Sequence, residues 1–194
     1  MDIDSGVNTP ASQVIRLLLN EFADGNARPP PIMPVLFTVD RMLEHGKLCA
    51  LSWLQVSGAV RTTARFYKQR TAVASEVNLN DNVGLGTVDE MAEMAASFAT
   101  LISFAKLDAY FIVGEFWVAP PSADPHVTAL PASVRSDRRE VVIVSAADRH
   151  HHKVCLFPVL REDEDIVLLG DAETTGFQTS NPLLLDLFAV GRGR

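Results

Sequence analysis

The chain has 194 residues, of which 47% are apolar and 21% charged, and its formal net charge is −7. That length suits one domain with its own core, burying roughly 70% of the unfolded surface, and the composition excludes a disordered chain. The acidic balance counts against general affinity for nucleic acid or an anionic membrane, and no stretch reaches the roughly 18 apolar residues of a membrane helix.

Residues 1–8 read as a tail. Thr9-Pro10 opens a first helix, with Thr9 as cap and Pro10 at the first helical position, where its missing amide costs nothing. Val14, Leu17, Leu18 and Phe22 give it an apolar stripe, and Gly25 ends it. Arg28-Pro29-Pro30-Pro31 is a stiff spacer. Residues 34–40 then read as a buried strand and 48–56 as its partner, with Gly46 in the turn between them. Val35, Val39, Met42 and Leu43 fit a helix ending at Gly46 equally well, because periodicity does not separate the two for a short apolar run. Residues 57–86 carry no clear period and read as an insertion or mobile loop.

The clearest element follows. Thr87-Val88-Asp89-Glu90 is a capping box, and Met91, Met94, Ala95, Phe98, Leu101, Ile102 and Ala105 form one helical stripe. Residues 108–118 predict a strand apolar on both faces, hence central in its sheet. Residues 140–145 predict the next strand. A turn at Asp148-Arg149-His150-His151-His152 leads to a return strand over 154–160, where Pro158 suggests an edge or a bulge. A short strand over 166–169 closes at Gly170, residues 181–188 predict a helical turn or two, and 189–194 form a loose end. The expected fold is a single α+β domain: one mixed or mostly antiparallel sheet with helices packed on it, in the order α-β-β-α-β-β-β. This order resembles that of roadblock-like and GAF-like domains, and more loosely that of JAB-type metalloproteases. The JAB resemblance implies a His-x-His-Pro segment after the strand that follows the second helix. Phe116-Trp117-Val118-Ala119-Pro120 stands there, without the histidines.

Glu115 interrupts an apolar run beside Trp117, and a carboxylate in such a strand needs a partner. Arg138 and Arg139 precede the next strand, so the reading is an ion pair with one of them, or else a site where Glu115 acts as an acid or base. Gly114-Glu115-Phe116-Trp117-Val118, followed by Ser133, Asp137, Arg138 and Glu140 and a valine-rich run, resembles an uncharacterised group of bacterial and phage proteins. In that group a Glu-x-Trp strand precedes a Pro-Ser-x-x-Pro-Asp-Arg-x-Glu loop. Here the first proline is displaced to Pro131 and Ser136 replaces the second. The resemblance spans roughly residues 90–160 and implies a fold, not an activity.

His150 and His152 are candidate metal ligands, since histidines one residue apart on a strand share a side, but a zinc site needs further convergent ligands. At a hairpin tip the run reads as a solvated turn. Arg61, Arg65, Lys68 and Arg70 surround Phe66 and Tyr67, which is the composition of a nucleic-acid patch or of a solvated face with its aromatics turned inward. Val83-Gly84-Leu85-Gly86 is a lone G-x-G, and no Walker A, G-x-S-x-G or H-E-x-x-H motif occurs. Cys49 and Cys155 each sit in an apolar run and read as small buried hydrophobes, too few for a disulfide framework.

Lacking a complete catalytic set, the sequence reads as a non-enzymatic binding or assembly module of bacterial or phage origin. It is expected to be cytoplasmic, because Met1-Asp2-Ile3-Asp4 lacks a secretory signal's basic start. No cofactor, membrane or nucleic-acid partner is expected, and self-association would use a sheet edge or the Trp117 region. Two alternatives stay open: an enzyme using Glu115 with Arg138 or Arg139 and the 150–152 histidines, and a nucleic-acid-associated protein using residues 61–70.

Overall fold

The structure, a computed structural model, describes residues 38–68, 71–72, 77–78, 88–120, 122–128, 130, 132–162, 166–173 and 181–191. The helix expected over 9–25 and the proline spacer lie outside the described residues. The first described element is a helix, α1, Val39–Ser57. Thr38 caps it, its hydroxyl accepting the Arg41 amide at 3.3 Å, and Asp40 sits in the first turn, where a negative charge suits the helix dipole. Gly58 ends it in the left-handed region at φ 74°, donating its amide to the Leu54 carbonyl. The helix replaces the strand expected over 48–56 and the end of the one expected over 34–40, whose residues 34–37 lie outside the described ones, and it also runs past Gly46, where the helical alternative stopped. Val39, Met42, Leu43, Gly46, Ala50 and Leu54 are buried at spacings of three and four, one face of a helix. Gly46 makes no turn. There α1 packs directly on the sheet, and a methyl group would come within 2.6 Å of Val144 Cγ1.

The sheet is antiparallel throughout. Its five longer strands run in the order β1 (Thr63–Lys68), β4 (Ala109–Val118), β5 (Arg139–Asp148), β6 (His152–Glu162) and β7 (Ile166–Leu169). Two short strands, β2 (Thr71–Ala72) and β3 (Val77–Asn78), pair with β1. The described part of the 57–86 stretch is therefore not an insertion: β1 pairs directly with β4 and buries Ala64 and Phe66 completely. A six-residue strand with both faces covered has no alternation to betray it, so it reads as patternless. Pro158 lies within β6, opposite Val141. Its carbonyl accepts the Gly170 amide, so its own missing N–H faces the end of β7 and leaves the β5 ladder intact.

The second helix, α2 (Val88–Ala105), covers the face opposite α1. Met94, Phe98, Leu101 and Ile102 pack there on Ala64, Phe66, Tyr110 and Ile112, with the Phe66 and Phe98 rings edge to face at 5.0 Å. On the α1 side Met42, Ala50 and Leu54 meet Phe111, Val113, Val142, Val144 and Phe157. Alternation along each strand thus feeds two cores, making a helix–sheet–helix sandwich. A short helix, α3 (Pro125–Thr128), lies in the β4–β5 connection, and α4 (Leu187–Gly191) packs against α2. The Tyr110 hydroxyl anchors this last segment, donating to the Leu185 carbonyl at 3.1 Å and accepting the Leu187 amide at 2.9 Å. Among the described residues no helix is long and apolar enough to cross a membrane.

Candidate functional site

Glu115 lies on the α1 side of β4, just past the end of that helix. One of its oxygens accepts the Val60 amide at 2.9 Å. Its carboxyl also bonds Glu140. Arg161 in turn grips Glu140 with Nε at 3.1 Å and with Nη2, and reaches the Gly58 carbonyl at 3.4 Å. Burial first, and then the Glu140 charge, raise the Glu115 pKa; the Val60 amide and the Arg161 charge act against them. The ion pair expected with Arg138 or Arg139 does not form. Arg138 lies over the Trp117 ring, 4.5 Å from its centroid. Arg139 points to the other side of the sheet, where it holds Glu173 in two bonds of 2.7 and 2.6 Å. Successive strand residues point to opposite faces, so adjacent arginines could not both serve Glu115. Arg161, which does serve this corner, comes from β6 and carries no sequence signal.

The histidine run divides. His150 and His151 stay in the turn, each donating its amide to Asp148 at 2.7 Å. Burial works to raise the Asp148 pKa, but these two amides and the His151 ring hold it below the usual carboxylate range. His152 begins β6 and turns inward, its Nε2 3.0 Å from Ser145 Oγ. Burial lowers the His152 pKa despite the charge of Asp186 nearby. Ser145 is fully buried, so this serine–histidine contact offers a substrate no approach. His150 precedes the strand, so the period that would align it with His152 does not apply. Among the described residues no three His, Cys, Asp or Glu side chains are grouped as metal ligands.

The basic stretch is likewise split by strand alternation. Phe66 faces α2 and Tyr67 faces α1, both buried, so neither can stack on a base. Arg65 turns toward α1, where its Nη1 lies 3.0 Å from His45 Nε2. Arg61 is exposed, Lys68 is half-buried at the end of β1, and Arg70 lies outside the described residues.

A surface that the sequence reading missed is the outer face of α2. From Met94 to Ala105 the helix has no charged residue, although Ala96, Thr100, Ser103 and Phe104 are exposed. Phe104 is 74% exposed. Another side of the helix borders a cavity of about 300 Å³ lined by Ala99, Ile102, Leu107, Leu187 and Phe188, with Lys106 and Arg149 at its polar rim. Arg149 is paired with Asp108 at 2.8 Å. The missing charges were legible in the sequence. That the uncharged positions face outward was not, since α2 is apolar enough to suit complete burial. No model of a known protein family matches the chain, and no curated protein or solved structure matches it.

Proposed function

We propose that this protein is a non-enzymatic assembly module that pairs with a second copy of itself through the outer face of α2. The supporting observation is the uncharged outer face of that helix, ending in an exposed phenylalanine. A surface helix ordinarily carries its charged residues outward, and an exposed apolar patch marks a contact surface. With α2 antiparallel to its counterpart, the outer face of each copy covers the exposed Phe104 of the other. Each copy uses the same face, so the pairing closes on itself as a two-fold dimer and does not grow into a chain. Trp117, which the sequence offered beside a sheet edge as a self-association surface, is 43% exposed and has Arg138 stacked on its ring.

Native mass spectrometry tests the proposal. The full chain should be a dimer, and Phe104→Glu should be a monomer with an unchanged far-UV circular dichroism spectrum. A wild-type chain that is monomeric at every accessible concentration overturns it, and so does a Phe104→Glu variant that remains a dimer.

A further inference from the structure

The cavity at the end of α2 is separate from the pairing face, since Phe104 is not among the residues that line it. Three segments build it. Ala99 and Ile102 come from α2, Leu107 from the connection to β4, and Leu187 and Phe188 from α4. Ile102, Leu107 and Leu187 are buried, so the floor is part of the core. The α4 wall is fixed by Tyr110, whose hydroxyl bonds the Leu185 carbonyl and the Leu187 amide. At its far end Gly191 closes on α2, where a Cβ would come within 3.1 Å of the Ala99 carbonyl oxygen. An apolar pocket of about 300 Å³ between packed elements, with a few polar groups at its mouth, has the usual form of a small-molecule site.

The mouth is cationic. Lys106 follows α2 with φ 51°, the left-handed conformation that glycine ordinarily supplies at the end of a helix. Its amide bonds the Ser103 carbonyl at 3.3 Å and the Leu107 amide bonds the Ile102 carbonyl at 3.0 Å, which is the Schellman pattern. A lysine in this place strains the backbone and sets an ammonium at the cavity rim. Among the described residues no carboxylate pairs with that ammonium. Arg149 arrives from the turn between β5 and β6. Its Nη2 pairs with Asp108 at 2.8 Å and lies 3.5 Å from the Lys106 carbonyl oxygen. Its Nε and Nη1 make no bond among the described residues and remain as donors. Lys106 and Arg149 together outweigh Asp108, so positive charge is in excess at the opening.

We propose that this cavity binds a medium-chain aliphatic carboxylate, with the tail against Ile102, Leu187 and Phe188 and the head group held by Lys106 and Arg149. The apolar walls reward burial of a hydrocarbon tail, and the cations at the mouth select a negative head group. Lys106 and Arg149 are both exposed, so a carboxylate between them keeps part of its water and escapes the cost of a buried charge. A methylene group fills roughly the space of a liquid water molecule, about 30 Å³, so the cavity has room for a chain of about ten carbons. The inference does not depend on dimerisation, because it uses a different side of α2.

The test is a two-dimensional amide NMR titration of the full chain with hexanoate, octanoate, decanoate and dodecanoate, each below its micellar concentration, and with 1-octanol as the uncharged match of octanoate. Saturable shifts should centre on Lys106, Leu107 and Leu187. Each added methylene should tighten binding by up to about fourfold as far as about ten carbons, and dodecanoate should gain little over decanoate. Lys106→Gly removes the charge and relieves the left-handed backbone, so its thermal midpoint should not fall. It should weaken octanoate about tenfold and leave 1-octanol unchanged, while Lys106→Arg should bind octanoate as wild type does. Absence of saturable decanoate binding, or shifts centred elsewhere in the chain, overturns the proposal. So does a Lys106→Gly variant with wild-type octanoate affinity, since the lysine then serves only the negative end of α2. Affinity that keeps climbing through dodecanoate, or an equal loss of octanoate and 1-octanol in Lys106→Gly, overturns it as well, because then neither the bounds of the cavity nor the charge at its mouth governs binding.

Discussion

Placing a methyl group on Gly46 tests the packing of α1 directly. In Gly46→Ala the new carbon would lie 2.6 Å from Val144 Cγ1 and 3.3 Å from Cγ2. Ordinary carbon contacts are about 3.5–4.0 Å, so the first overlap approaches about 1 Å. Val144 sits on β5, held between β4 and β6, and cannot retreat. Overpacking of this kind costs about 1–3 kcal/mol, and here the upper end applies because the obstacle is a branched side chain on a central strand. Alanine regains about 1 kcal/mol of helix propensity over glycine. The expected net loss is about 2 kcal/mol. Val144→Ala alone should also lose about 2 kcal/mol, from two buried methyl groups and the gap they leave. In the double variant the new methyl group occupies that gap, so the total loss should stay near about 2 kcal/mol where additivity demands about 4. Urea denaturation followed by circular dichroism measures all four proteins, with unchanged slopes expected. A Gly46→Ala variant as stable as wild type, or strict additivity in the double variant, refutes the seating of α1 on Val144. The strand–turn–strand reading of this segment predicts no coupling between the two sites.

Tyr110→Phe should cost about 1–3 kcal/mol, because it leaves the buried Leu187 amide without its acceptor; unchanged stability and unchanged amide exchange at Leu187 would show that the hydroxyl anchors nothing. Glu115 governs part of the pH dependence. Its pKa is raised in the folded state, so the folded chain takes up this proton at higher pH than the unfolded chain. The resulting stability is full below the ordinary carboxylate value of about 4.3 and is lost as pH rises through the raised one. Glu115→Gln stays neutral and can still accept the Val60 amide, so it should flatten this part of the thermal-midpoint profile and match or exceed wild type at pH 8. A variant markedly less stable than wild type at pH 8 contradicts that assignment of charge.

Sequence legibility followed the range of the signal. The helix over 88–105, the strand over 109–118 and the strand over 166–169 were read within a residue or two, because a repeated period or a bounded apolar run marks each. The strands over 139–148 and 152–162 extend past the predicted limits by one to three residues at each end, the first because Ala146 and Ala147 carry little strand preference of their own. The candidate site was less legible. That Glu115 needs a partner followed from its apolar setting, but the partner is Glu140 with Arg161 across two strands, not the nearer arginines. His150 and His152 were expected to share a side, and the start of β6 between them removed that relation.

By itself, the sequence determined an α+β chain and left its sheet mixed or mostly antiparallel, because hydrophobic period and turn residues act over a few positions. Tertiary structure alone decided three things. It made residues 39–57 one helix, since Gly46 is read as a turn until Val144 is seen to need its missing side chain. It turned the uncharged face of α2 outward, since periodicity fixes which residues share a side but not what covers it. It gathered His45 and Cys49 from α1 with Arg65 and Tyr67 from β1. The helix period could have paired the first two. Only the crossing of helix over sheet brings the guanidinium to the imidazole, because a contact between separate elements leaves no period in either.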